Sequence, residues 1–172
     1  MASQTILIYP DKKLKEVSRV VETFNSELQS FIDDLEETMD DGPGAVGIAA
    51  PQVGHPIRAV IVDVSNRKKI KHHGRLVLIN PEIIEWDGLV TGREGCLSVP
   101  DYTGTVIRAE RIKLNAFNQF GETLNFEMEG YEARAVQHEI DHLDGLLFLD
   151  RLVSRRHDLF ERKVYKKKTK NE

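Results

Sequence analysis

Between residues 25 and 41 the apolar residues Leu28, Phe31, Ile32, Leu35 and Met39 recur every three to four positions, a spacing that gathers them on one face of a helix. Asn25 or Ser26 stands where an N-cap side chain is needed, and Gly42 where such a helix would end. A core-facing amphipathic helix is therefore expected over 25–41. After a Gly/Pro-rich segment at 42–54 the period changes, and short runs rich in β-branched residues follow at 59–64, 76–80, 83–86, 105–108, 112–117 and 123–128. In the fifth run Ile112, Leu114 and Ala116 point one way while Lys113, Asn115 and Phe117 point the other. Asn118-Gln119-Phe120-Gly121 then supplies a hairpin loop, so mostly antiparallel pairing is expected. Helix-forming composition returns at 131–143, stopped near Gly145, and again in a polar, basic stretch at 153–168 that frays past Lys166. Strands framed by helices predict an α+β fold. Mostly antiparallel sheets pack around the 131–143 helix, with N-terminal and C-terminal helices at the ends.

Composition narrows this to one domain spanning 1–172, since 40% hydrophobic and 30% charged residues suit a single compact core. No run of eighteen apolar residues occurs, and Met-Ala-Ser-Gln-Thr opens neither a signal peptide nor an Arg-rich leader. A soluble, cytoplasmic protein with no membrane partner is expected. The formal net charge of −4 is uneven: residues 151–172 carry nine Lys/Arg against three Asp/Glu, which leaves −10 on residues 1–150. Such a stripe suits attraction to a polyanion such as RNA, and it also suits a solvated helix face. The single cysteine, Cys96, has no internal disulfide partner, so it acts as a thiol or thiolate or simply packs.

The strongest chemical feature is His138-Glu139-Ile140-Asp141-His142, inside the 131–143 helix. Imidazoles four residues apart lie on one helical face and can reach one metal ion, while Glu139 sits beside that ion as a general base for water. Two imidazoles leave a site incomplete. Cys96, in Glu94-Gly95-Cys96-Leu97-Ser98, is the candidate third ligand: Gly95 lets the backbone approach closely, and a thiolate binds Zn(II) or Fe(II) well. Three protein ligands leave a position for water, as catalytic rather than structural sites do. The loop Gly44-Ala45-Val46-Gly47-Ile48-Ala49-Ala50-Pro51-Gln52 lacks the Gly-Lys-Ser/Thr ending of a phosphate cradle, but Gln52 offers an amide donor for a developing oxyanion.

Gly47-Ile48-Ala49-Ala50-Pro51-Gln52, Glu94-Gly95-Cys96-Leu97-Ser98 and Gln137-His138-Glu139-Ile140-Asp141-His142 together resemble the three motifs of peptide deformylases, in the same order and at similar separations. One departure is Ala45, where the family's first motif usually has glycine. The resemblance implies removal of the formyl group from the N-terminal formyl-methionine of nascent polypeptides, with release of formate. It implies Cys96, His138 and His142 as ligands of Fe(II), for which Zn(II), Ni(II) or Co(II) can substitute. Glu139 would be the base, with the Leu97 N–H and the Gln52 side chain stabilising the oxyanion, a role whose loss typically costs ~100-fold or more in rate. Tyr131, Arg134 and Ala135 lie seven, four and three residues before His138 on its helical face, so they are expected to line a methionine pocket with Ile48 and Gly95. The substrate would add as a strand along Gly47. Asp141 is expected to be structural, paired with an arginine such as Arg108. Members of this type act on chains leaving the ribosome, which makes the basic C-terminal helix a candidate for ribosome contact; no DNA partner is implied.

Two rivals remain at this level. A zinc endopeptidase shares the His-Glu-x-x-His helix, though not a cysteine ligand; a non-catalytic metal-binding or ribosome-associated module would have no use for Glu139 and Gln52.

Overall fold

The computed structural model describes residues 2–162. The periodic N-terminal segment forms α1 (Ser26–Asp41), capped by Asn25, whose side-chain oxygen accepts the Leu28 N–H at 3.0 Å, a bond worth ~1 kcal/mol. Next come β1 (Gly47–Ala49), β2 (Ala59–Val62), β3 (Leu76–Cys96), β4 (Val99–Phe117), β5 (Thr123–Glu129), α2 (Gly130–Leu143), α3 (Arg155–Asp158) and β6 (Leu159–Glu161). All strands join one antiparallel sheet in the order β1-β2-β3-β4-β5, with β6 added against β4.

The centre of the sheet is covered on both faces. Val60 and Val62 of β2 pack in the cluster with Ala133 and Val136 of α2, whereas Ala59 and Ile61 pack with Leu28, Ile32 and Leu35 of α1. A strand buried on both sides needs an unbroken apolar run, which is what Ala59-Val60-Ile61-Val62 supplies. Ile112, Leu114 and Ala116 are buried, as their alternation predicts. The helix α2 ends where Gly145 takes φ of +77°, so that the Gly145 and Leu146 N–H groups close onto the carbonyls of His142 and Asp141.

Two expectations need correction. The separate runs at 76–80 and 83–86 are parts of the single strand β3, and 105–108 and 112–117 are parts of β4; these form a long hairpin turned at Leu97-Ser98, with Cys96 opposite Val99. Much of β3 between 82 and 93 is exposed, so no apolar alternation marks it. The helix expected over 153–168 is a single turn, α3, after which the chain extends into β6 and pairs with Tyr102, Thr103 and Gly104 of β4. There the open edge of β4 outweighs local helix preference; residues 163–168 lie outside the described residues.

Candidate metal centre

The helix α2 carries His138 and His142 one turn apart, and the end of β3 delivers Cys96 to the same point. Their ligand atoms all lie within 4.8 Å of one another, all three residues are buried, and Cys96 Sγ stands 3.3 Å from His142 Nε2. His138 Nδ1 is hydrogen-bonded to Glu94 Oε1 at 2.9 Å. A carboxylate can only accept, so Nδ1 carries a proton and Nε2 is the nitrogen that faces the cluster. His142 is held neutral, because burial and the neighbouring His138 ring push its pKa well below the usual value. One thiolate and two imidazoles on two rigid elements fit a single divalent ion and leave a coordination position open.

Glu139 is 3% exposed, and its Oε1 is buried without a hydrogen-bond partner among the described residues. Its Oε2 lies 4.0 Å from His138 Nε2. Burial raises this carboxyl to about 7, against the opposing pull of the His138 ring. Gly47 leaves room for it: a Cβ there would lie 2.5 Å from Glu139 Oε2. A buried, unsatisfied carboxylate of raised pKa beside a ligand cluster is poised to take a proton from a small molecule in the open position.

Cys96, His138 and Glu139 form part of the wall of a cleft of about 260 Å³, which His142 does not line. Of the residues singled out from the sequence, Gly47, Gly95, Cys96, Leu97, Tyr131, Arg134, Ala135, His138 and Glu139 line it. Ile48 does not. It is fully buried in the cluster beneath α1, on the other side of the backbone from Gly47, and Val46 lines the cleft instead. Gln52 is nearly sealed, its Oε1 accepting from the Ala49 N–H at 2.9 Å. Its amide nitrogen donates to Ser98 Oγ at 3.1 Å and to Cys96 Sγ at 3.5 Å.

Glu94 is the residue that sequence reasoning left without a role. Besides His138 it accepts from Arg108 Nε and Nη2, each at 2.9 Å, and from Arg134 Nη1 at 2.6 Å. Burial alone would raise its carboxyl, but the Arg108 and His138 hydrogen bonds outweigh that and hold it far below the usual range. Arg108 also reaches Asp141, the pairing expected for that residue, and Arg151 closes on Asp141 from the other side. Arg134 is held fast as well: its guanidinium is tied to Glu94 and to the carbonyls of Val90 and Val106. For Glu94 the available signal was a place two residues before Cys96, which puts both side chains on one face of a strand.

The family model for polypeptide deformylase matches residues 3–158 of this chain. The chain belongs to the peptide deformylase family. It is 43% identical over 171 residues to a peptide deformylase of Nautilia profundicola, an alignment covering 99% of this chain and 95% of the relative. Against peptide deformylase 1 of Bacillus subtilis the identity is 42%, covering 88% and 91%. Among solved structures, a peptide deformylase from Legionella pneumophila superposes with a TM-score of 0.82 at 41% identity, over 90% of this chain and 88% of that one. The enzyme from Thermotoga maritima superposes with a TM-score of 0.82 at 38% identity, covering 90% and 100%. This deformylase is accordingly a metal-dependent hydrolase that removes the formyl group from the N-terminal methionine of nascent polypeptides and releases formate. A zinc endopeptidase and a non-catalytic module are both set aside by the same match.

Proposed function

We propose that Cys96, His138 and His142 hold one divalent ion, Fe(II) in the cell with Zn(II), Ni(II) or Co(II) able to substitute, and that Glu139 manages the proton of formyl hydrolysis. The observation that carries this reading is the buried Glu139 carboxylate oxygen, without a hydrogen-bond partner among the described residues, beside three converging ligand atoms, of which those of Cys96 and His138 belong to residues lining the open cleft. A divalent ion bound there supplies Lewis acidity, which makes water more acidic and polarises a carbonyl oxygen. Glu139 accepts the proton as water adds to the formyl carbon, and then delivers a proton to the departing amine nitrogen as the C–N bond breaks. The Leu97 N–H and the Gln52 amide donate to the oxygen that gains charge; of the two bonds the Gln52 amide nitrogen donates now, the 3.5 Å one to Cys96 Sγ is the weaker. Val46, Tyr131, Ala135 and the stem of Arg134 receive the methionine side chain, and the substrate backbone runs as a short strand between Gly47 and Gly95.

The reaction belongs in the cytoplasm, where formyl-methionyl chains emerge. Exposed Arg155 and Arg156 on α3 offer a charged contact to the ribosome, an association that salt would weaken. Hydrolysis of formyl-Met-Ala-Ser but not of its acetyl counterpart, by protein purified without oxygen and analysed for metal, tests substrate and ion together. Glu139→Gln should keep the metal and lose ~100-fold or more in kcat; near-normal turnover would remove Glu139 from the proton path.

A further inference from the structure

Four arginines, Arg67, Arg93, Arg134 and Arg162, line the catalytic cleft, while its two carboxylates, Glu94 and Glu139, are buried in the floor. Arg134 is consumed by Glu94 and two backbone carbonyls. Arg67 and Arg93 are different: both are exposed, and neither forms an ion pair among the described residues. Each is instead braced by an aromatic ring. The Arg67 guanidinium carbon lies 4.3 Å from the Tyr131 ring centroid, with Nη2 donating to the Tyr131 hydroxyl at 3.0 Å. That of Arg93 lies 3.7 Å over the Phe160 ring, with Nη1 donating to Thr103 Oγ1 at 3.4 Å. Stacking holds a guanidinium by its face and leaves other in-plane N–H groups for a carboxylate.

The C-terminal strand builds part of this rim. Pairing of β6 with β4 sets Phe160 opposite Thr103 and beneath Arg93, and the Arg162 N–H continues the ladder by donating to the Asp101 carbonyl at 2.8 Å. Gly95 is the space into which Arg162 reaches, since a Cβ there would collide with its Nη2. The positive mouth stands out because residues 1–150 carry a net −10, so the attraction is local to the cleft.

We infer that Arg67 and Arg93 select nascent chains with an acidic side chain at the third residue, counting the formyl-methionine as the first. The inference rests on the deformylase reading of the cleft. Arg93 lies three strand residues from Cys96, about 10 Å, and Tyr131, which braces Arg67, lies seven helical residues from His138, also about 10 Å. An extended substrate advances about 3.3 Å per residue, so its third residue arrives about that far from the reacting carbon.

The test is kcat/KM of the full-length, metal-loaded enzyme on three C-terminally amidated peptides: formyl-Met-Ala-Glu, formyl-Met-Ala-Gln and formyl-Met-Ala-Lys. Amidation leaves the third side chain as the only variable charge. At low salt the Glu peptide should exceed the Gln peptide by about threefold and the Lys peptide by about tenfold, and both ratios should shrink at high salt. In Arg67→Gln/Arg93→Gln the ratios should fall towards one, while Arg67→Lys/Arg93→Lys, which keeps the charge, should retain a preference for Glu. Equal values for the three peptides with the unaltered enzyme overturn the inference and leave the deformylase reading standing. A preference that survives the double Gln variant overturns the assignment to these two arginines. No hydrolysis of any peptide overturns the deformylase activity, and the inference with it.

Discussion

Replacing Glu94 with Gln should damage both stability and metal affinity, although Glu94 is not one of the three proposed ligands. The carboxylate is 5% exposed on its side chain and accepts four hydrogen bonds, two from Arg108, one from Arg134 and one from His138. Gln keeps the shape but turns one oxygen into a donor facing donors, and it removes the negative charge shared by two buried guanidiniums. Breaking a buried ion pair from one side typically costs 3–5 kcal/mol. Arg108 keeps Asp141 as a partner, so the lower half of that range, about 3–4 kcal/mol, is expected. For a chain of this length that corresponds to a fall in Tm of roughly 6–16 °C. Loss of the hydrogen bond that orients His138 should also weaken metal binding by about 10–100-fold. Urea unfolding of the metal-free protein gives the first quantity, and competition with a chelator for Zn(II) or Co(II) gives the second. The pH dependence has a definite sign: a carboxyl held below its unfolded value contributes stability above that value and loses it as pH falls through the folded one. The gap between wild type and variant should therefore be constant from pH 7 to about pH 5 and narrow below about pH 4.5. A loss under about 1 kcal/mol with unchanged metal affinity would refute the account of Glu94 as the hub of the site.

Cys96→Ser should lose most of its bound metal and its activity, because a neutral hydroxyl is a poor ligand beside a thiolate; metal content at wild-type level by elemental analysis would move Cys96 out of the ligand set. Gly47→Ala would put a Cβ 2.5 Å from Glu139 Oε2 and displace the carboxylate. Its kcat should drop about 10–100-fold with metal content retained, and wild-type kcat would show that Glu139 tolerates the shift. Arg75 ties Asp40 and Glu36 of α1 to Asp63 beyond β2. Its hydrogen bond lowers the Asp40 pKa; at Asp63 burial pulls upward but the Ser65 and Arg75 hydrogen bonds prevail. Since both carboxyls are lowered, the stability that Arg75→Gln loses, about 1 kcal/mol or less, should be full at neutral pH, begin to shrink below about pH 4 and be lost as pH falls through the lowered values. A loss as large at pH 3 as at pH 7 in thermal melts would mean that packing of the Arg75 stem, not charge, is responsible.

The two long helices were legible because a helix is specified by residues three and four apart. Leu28, Ile32 and Leu35 mark the buried face of α1, and the four-residue interval between His138 and His142 already places two imidazoles together. The third member of the buried Cys/His/His cluster was legible for another reason: Cys96 is the sole thiol in the chain and sits in a motif that resembles one of a known family. Tertiary structure alone decided the rest, because the partners are distant in sequence. The exposed stretch of β3 has no apolar period to read, and β6 is a strand only because the edge of β4 is there to accept it. Glu94 is one of 28 acidic residues until folding brings Arg108, Arg134 and His138 around it from 14, 40 and 44 positions away. Ile48 was misassigned and Val46 overlooked because small-residue loops carry no period, so which side chain faces the cleft is set by how β1 lies between the two helices. Three short motifs thus pointed to the reaction through their resemblance to a known family, while long-range packing chose the groups that surround the Cys/His/His cluster and line the way in.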